Sequence, residues 1–448
     1  MCSSIVLHDP TIGHLPLSAA PSPPVAGALA RRAAAVLLAL VALAMGHRLF
    51  ALISAHAVDV LYWDQWDFWS PIFAGHGPWA LFAQQHGPHR QGLGLLLSKL
   101  VADLSGWSTR AESLAIGALV GLAMLAALAL KRRAIGPLAW TDVVIPLAVL
   151  TTAQHETFVG TPNPAHSAFP LLLLMLYALA WTLAAPAARY PAVLGLNAAL
   201  TWTGFGLFAG ALTPALLAVD AAQRLRRRRG EAKSALASLA VALASAVAFF
   251  VGYVWAPAVD CLLFPHPRPW EYAAFPALML ARPLGLGGGR SRPLALAVGL
   301  VLLVLALWAL AFHVRRLARS EVGGPGASLA VTILLGYSLL YAAVTAVGRV
   351  CLGLDAALAS RYVTLMIPAI LGLYFATLAM EHRARRRALV AVMVMALIPL
   401  PLPGRLDDWR QSAWFSQGKR LWTRCYLERR DLAACDRATG FPIYPRPE

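Results

Sequence analysis

An all-α membrane protein, a polytopic helical bundle, is the fold class that this sequence predicts, and three observations predict it. Of 448 residues, 59% are hydrophobic and only 13% are charged, whereas soluble domains carry about a quarter charged residues. The apolar residues run continuously, as in Ala33–Gly46 and Leu294–Phe312, without the period-two alternation of a barrel strand. The basic residues are bunched between those runs, at 131–133, 224–229, 315–319 and 383–387, as the positive-inside rule expects of short cytoplasmic loops. In hydrocarbon each backbone polar group must be satisfied within the chain, so the runs are read as helices. The net charge of +17 is then a topology signal, and no nucleic-acid partner is expected.

The elements follow in order. Residues 1–30 are rich in Pro, Ser and Ala and precede Arg31-Arg32; they read as a disordered cytoplasmic arm before a signal anchor. A run of roughly 20 apolar residues crosses a bilayer, and shorter runs fit inside a bundle. About 11 spans result on that length criterion, near 33–56, 112–130, 139–153, 167–185, 191–203, 206–222, 235–254, 293–312, 328–347, 362–380 and 388–402. The pair over 191–222 is interrupted at Thr203-Gly204 and could be two half-length helices that dip in and return. Residues 31–402 thus form a transmembrane domain with 57–111 as its first outer loop, and 403–448 an extracytoplasmic tail. With the N-terminus inside, the Arg clusters fall in the cytoplasm. The polar segments 57–111, 154–166, 255–292, 348–361 and 403–448 fall on the other side.

Those outer segments carry the residues with chemical capacity. The first loop holds Tyr62-Trp63-Asp64-Gln65-Trp66-Asp67-Phe68-Trp69. Its aromatic rings suit the membrane interface, but the two carboxylates do not follow from that. On a helix Asp64 and Asp67 share a face, where they could bind a divalent cation, or one could act as a base oriented by the other. A helix N-cap is the competing role. Further on, His86, His89 and Arg90 surround a Gly-Pro turn. Two histidines three apart are weak grounds for a metal, no metal motif appears, and phosphate or another polar substrate is the better match for Arg90. Gln91–Leu104 reads as an amphipathic surface helix. The second loop offers His155 and Glu156, and a late segment places Arg349 and Arg361 at the ends of two spans. A guanidinium fork there suits a phosphate, with snorkelling as the alternative. His47 and Arg48 lie within the first span, where charge is costly and usually faces a cavity. Cys425 and Cys435 could pair if the tail lies in an oxidising compartment.

The acidic aromatic loop after the first span, the short second loop with an acid, and the many spans together resemble the GT-C superfamily of membrane glycosyltransferases. The W-D-x-W, H-x-x-H-R and G-R…S-R-Y segments are most similar to bacterial multi-spanning members, and the likeness covers about 33–380. It implies a bacterial inner-membrane enzyme that moves a sugar from a polyprenyl-phosphate donor to a lipid, glycan or protein acceptor outside the cytoplasm. It also implies an acid of the first loop, Asp64 or Asp67, as general base, with Asp64 favoured because it comes first after the span. Arg349 and Arg361 would hold the donor phosphate, and His86, His89, Arg90, His155 and Glu156 would line the substrate site. Many relatives have adjacent acids in the first loop, whereas Gln65 and Trp66 separate them here. A transporter or flippase of a lipid-linked saccharide, or a glycan polymerase or ligase, is the alternative. A carrier, however, usually keeps ionisable groups near mid-membrane, and these spans are almost free of charge.

Overall fold

A computed structural model describes residues 25–183, 185–226, 232–255, 259, 261–287, 291–319, 326–402 and 407–444. Most of the N-terminal arm (1–24) and the basic positions 227–229 lie outside the described residues. In chain order the helices are α1 (Val25–His56), α2 (Gln65–Phe73), α3 (Pro78–Ala83), α4 (Gly92–Ser105), α5 (Thr109–Ala134), α6 (Val144–Val149), α7 (Ala168–Trp181), α8 (Pro186–Thr201), α9 (Leu207–Arg226), α10 (Ala232–Phe249), α11 (Glu271–Ala281), α12 (Arg292–Arg319), α13 (Gly326–Arg349), α14 (Val363–Leu378), α15 (Arg383–Leu397), α16 (Asp408–Arg429) and α17 (Leu432–Thr439). A two-stranded hairpin, β1 (Gln85–His86) and β2 (His89–Arg90), interrupts the first loop.

The chain is an all-α multi-pass membrane protein. Among the described residues, seven helical segments are long and apolar enough to cross a bilayer: Arg31–His56, Thr109–Ala134, Gly204–Arg226, Ala232–Phe249, Arg292–Arg319, Gly326–Leu352 and Ser360–Leu378. The four other predicted spans are shorter. Over 139–153 the expected single helix is replaced by a 3-10 turn, Trp140–Val143, the six-residue α6 and a second 3-10 turn, Thr152–Gln154. This piece is buried on all sides from Val143 to Val149, so neighbouring helices rather than lipid enclose it and its length is not set by the bilayer. The segment 167–185 is α7, of 14 residues. The pair over 191–222 is the 16-residue α8 and the 20-residue α9, so the second member is a full-length helix and not a half. The segment at 388–402 is α15, of 15 residues.

Two observations show how the bundle holds together. Lipid tails are as apolar as leucine, so helices in a bilayer associate through close packing and polar contacts. A Cβ on Gly299 of α12 would come 2.0 Å from the Ala277 carbonyl oxygen of α11, and only glycine permits that approach. On its other side α12 presents Leu294, Val301, Val304 and Trp308 outward, as a lipid-facing helix should. Polar contacts close the Arg-rich end. Lys131 pairs with the fully buried Asp142 at 2.8 Å, and Gln223 donates to the Leu317 carbonyl.

The opposite end gathers the loops. The disulfide Cys261–Cys351 ties the segment before α11 to the segment after α13, and Cys425–Cys435 staples α16 to α17. Helix α16 lies against α1 and the π-helical turn Glu156–Gly160, so the tail packs over this end of the bundle.

Candidate functional site

The site begins with the way residues 62–69 fold. Trp63 adopts φ 52°, a left-handed conformation unusual for a bulky side chain, and its N–H donates to the Ile443 carbonyl of the tail at 2.8 Å. Asp64 then occupies the N-cap of α2, yet its side chain makes no capping bond. Gln65 points inward and is fully buried, accepting from the Tyr62 N–H at 3.1 Å and donating to the Pro162 carbonyl at 3.2 Å. One of the two residues that separate the acids in sequence is thus the hook between the first and second loops. Asp64 and Asp67 both remain half-buried. The Tyr444 hydroxyl donates to Asp67 at 2.7 Å. The Asp64 side chain has no hydrogen bond or ion pair among the described residues, which leaves it the uncommitted carboxylate of the pair.

Facing these acids is the hairpin that turns at Gly87-Pro88, with His86 opposite His89. Burial lowers the pKa of His86; the Asp64 and Asp67 carboxylates oppose that shift, and the Arg349 guanidinium adds to it. These four groups therefore share one electrostatic neighbourhood. The Arg361 guanidinium feels the charges of both Glu156 and Asp64. It donates to Glu156 at 3.1 Å, while Ser360 Oγ accepts from the Glu156 N–H at 2.9 Å. Asp64, Asp67, His86, Glu156, Arg349 and Arg361, which come from four separate stretches of the chain, are brought together. Glu156 is neither free nor a bare loop carboxylate: it is the counter-ion that orients Arg361.

Two predicted site residues are engaged elsewhere. Arg90 donates to three backbone carbonyls, Phe249 at 2.9 Å, Ala83 at 2.6 Å and Val251 at 2.5 Å, and its guanidinium stacks on Trp202. Its fork is spent on holding the hairpin to the end of α10, so it is a structural arginine rather than a phosphate ligand. His155 is buried, with no partner for its Nδ1, and desolvation takes its pKa down to about 4. It belongs to a neighbouring polar cluster in which Asp408 of α16 pairs with Arg48 at 2.6 Å and accepts from Thr152 Oγ1. Arg48 thus meets an acid from the tail. His47 is exposed.

His89 and its neighbourhood contain what sequence reasoning missed. His89 Nε2 lies 2.6 Å from Nε2 of His166, a residue whose 77-position separation gives no motif. Lys419 and Tyr444 of the tail were equally invisible, because ordinary tail residues carry no spacing signal. Among the described residues no group of three or more His, Cys, Asp or Glu converges to hold a metal ion. On the N-terminal side of Arg48, toward the Arg-rich end, an apolar cleft of about 470 Å³ is lined by Leu37, Val41, Met45, Trp140, Leu147 and Val394. Comparison with protein-family models, with curated proteins and with solved structures finds no match.

Proposed function

We propose that the chain is an integral-membrane glycosyltransferase of the bacterial inner membrane, moving a sugar from a polyprenyl-phosphate donor to an acceptor on the extracytoplasmic side. The observation that carries the reading is the uncommitted Asp64 carboxylate in a shared field with His86, Arg349 and Arg361. Sugar transfer needs a base for the acceptor hydroxyl and cations for the departing phosphate, and this end of the bundle supplies both. The acceptor oxygen attacks the anomeric carbon while Asp64 takes its proton. The bond from that carbon to the phosphate oxygen breaks, and the polyprenyl phosphate leaves with its charge held by Arg349 and Arg361. Asp67, engaged by Tyr444, is the supporting acid. Both disulfides lie at the site end, which fits an oxidising compartment there and a cytoplasmic Arg-rich end.

The test is a matched-donor assay on protein purified into nanodiscs. Wild type labels an acceptor from a polyprenyl-phosphate sugar, and Asp64→Asn lowers the rate by about 10²–10⁴-fold, the range of general-base contributions, with unchanged thermal unfolding. Full activity in both Asp64→Asn and Asp67→Asn removes the base assignment. Movement of donor across vesicles with none consumed replaces the enzyme by a flippase.

A further inference from the structure

The buried histidine pair beside the acids has no role in the reaction as written. His89 is sealed, while His166 is half-buried, and their Nε2 atoms face each other at 2.6 Å. That distance requires one nitrogen to carry the proton and the other to accept it. Two independent contacts say which. Gln91 Oε1 accepts from Asn163 Nδ2 at 3.2 Å, which fixes the orientation of its amide and turns Nε2, a donor, toward His166 Nε2 at 3.5 Å. An N–H on His166 Nε2 would face that amide donor, so this nitrogen carries no proton and its single lone pair accepts from His89. The other tautomer would also place an N–H on His89 Nδ1, which is buried without a partner, and an orphaned buried N–H is the costlier arrangement. His89 thus donates through Nε2, and the single proton of neutral His166 sits on Nδ1.

The local fold gives this arrangement little freedom. Residues Pro164–His166 form a 3-10 turn capped by Asn163. Ala165 is wedged where a Cβ on Gly94 would approach it to 2.4 Å and one on Gly204 would reach its carbonyl. Phe68 and Phe205 close on the His166 ring at 5.0 and 5.4 Å between centroids. Desolvation, the neighbouring histidines, Arg349 and Arg361 all keep His166 from taking a second proton.

The geometry points to His166 as a further ligand-binding residue of the site, an uncharged Nδ1–H donor locked by His89 for a hydroxyl or carbonyl oxygen of the sugar. This rests on the transferase reading for the identity of the ligand, though not for the tautomer. In the field of the cations Arg349 and Arg361, a neutral donor orients a sugar oxygen without drawing the phosphate out of its place. His89 is the positioning residue.

The test has two arms. In protein labelled with ¹⁵N-histidine, solid-state NMR should show an Nε2–H···Nε2 coupling between His89 and His166, with His166 protonated at Nδ1, and H166Q should abolish it. In donor binding, H166N, whose amide can replace the Nδ1 donor, should stay near wild type. H166Q and H166F should bind about three- to tenfold more weakly, the value of one neutral hydrogen bond, and H89F should follow them. A His166 proton on Nε2, a doubly protonated ring, or equal loss in H166N and H166Q overturns the proposal. So does a stoichiometric metal ion held by the two Nε2 atoms. If wild type binds no lipid-linked sugar, the transferase reading falls and the tautomer measurement alone decides the dyad.

Discussion

Lys419 offers a test that does not depend on the identity of the substrate. It lies on α16 with its side chain buried, donating to the Val159 carbonyl at 3.1 Å and the Gly160 carbonyl at 2.9 Å. Those carbonyls end the π-helical turn that carries Glu156, and terminal helix carbonyls need outside donors. Burial takes the ammonium pKa from 10.5 down to about 7, with Glu112 opposing the shift. A difference of that size corresponds to about 5 kcal/mol against the charged form when the tail is docked. At pH below 7 both docked and released tails hold the proton, and docking carries the whole penalty. As pH rises from 7 toward 10.5 the docked lysine loses its proton first, the released tail binds more protons, and docking strengthens by about 1.4 kcal/mol per pH unit. Between pH 7.5 and 9 the gain is about 2 kcal/mol. The buried His155 and His166 are silent in that window, because their shifts lie below 6.5, and Glu112, raised to about 7 by burial, has lost most of its proton by the window's lower edge. The assay is urea-driven release of a fluorophore-labelled tail, in wild type and in Lys419→Met. Wild type should gain the stated stability across the window and the variant should be flat. A flat wild type, or the same slope in the variant, refutes the reasoning.

Two other predictions concern the frame of the site. Arg90→Met should cost at least about 3 kcal/mol in thermal unfolding, since three carbonyl bonds and the Trp202 stack go together, and Arg90→Lys should not restore it, because an ammonium lacks the planar fork. Reducing Cys425–Cys435, which closes a loop across a separation of 10 residues, should weaken tail docking by about 3 kcal/mol on the chain-entropy account, and the Cys425→Ser/Cys435→Ser double variant should match reduced wild type in the same urea titration.

The sequence by itself determined the solvent, the helical fold class and the stretches of chain where polar chemistry is concentrated. Continuous apolar runs have one outcome in hydrocarbon, since a backbone there must bond to itself, so α1, α5, α12 and α13 are legible from composition and length alone. The spacing of Asp64 and Asp67 was legible for the same local reason: three residues apart on a helix is one face. What depends on distance in three dimensions was not. That Arg90 is spent on carbonyls of 249 and 251, that Glu156 is the counter-ion of Arg361, and that Asp408 reaches Arg48 are outcomes of packing between segments more than 150 residues apart. The predicted span over 139–153 became the short α6 because protein, not lipid, surrounds it, and a hydropathy window registers apolar residues without registering their neighbours. Its place just after the first span already favoured Asp64, and the tertiary structure added a physical ground for the preference. Two carboxylates of equal local character became unequal when the tail brought a hydroxyl to Asp67, and a hydrogen bond from position 444 leaves no trace in the residues around position 67.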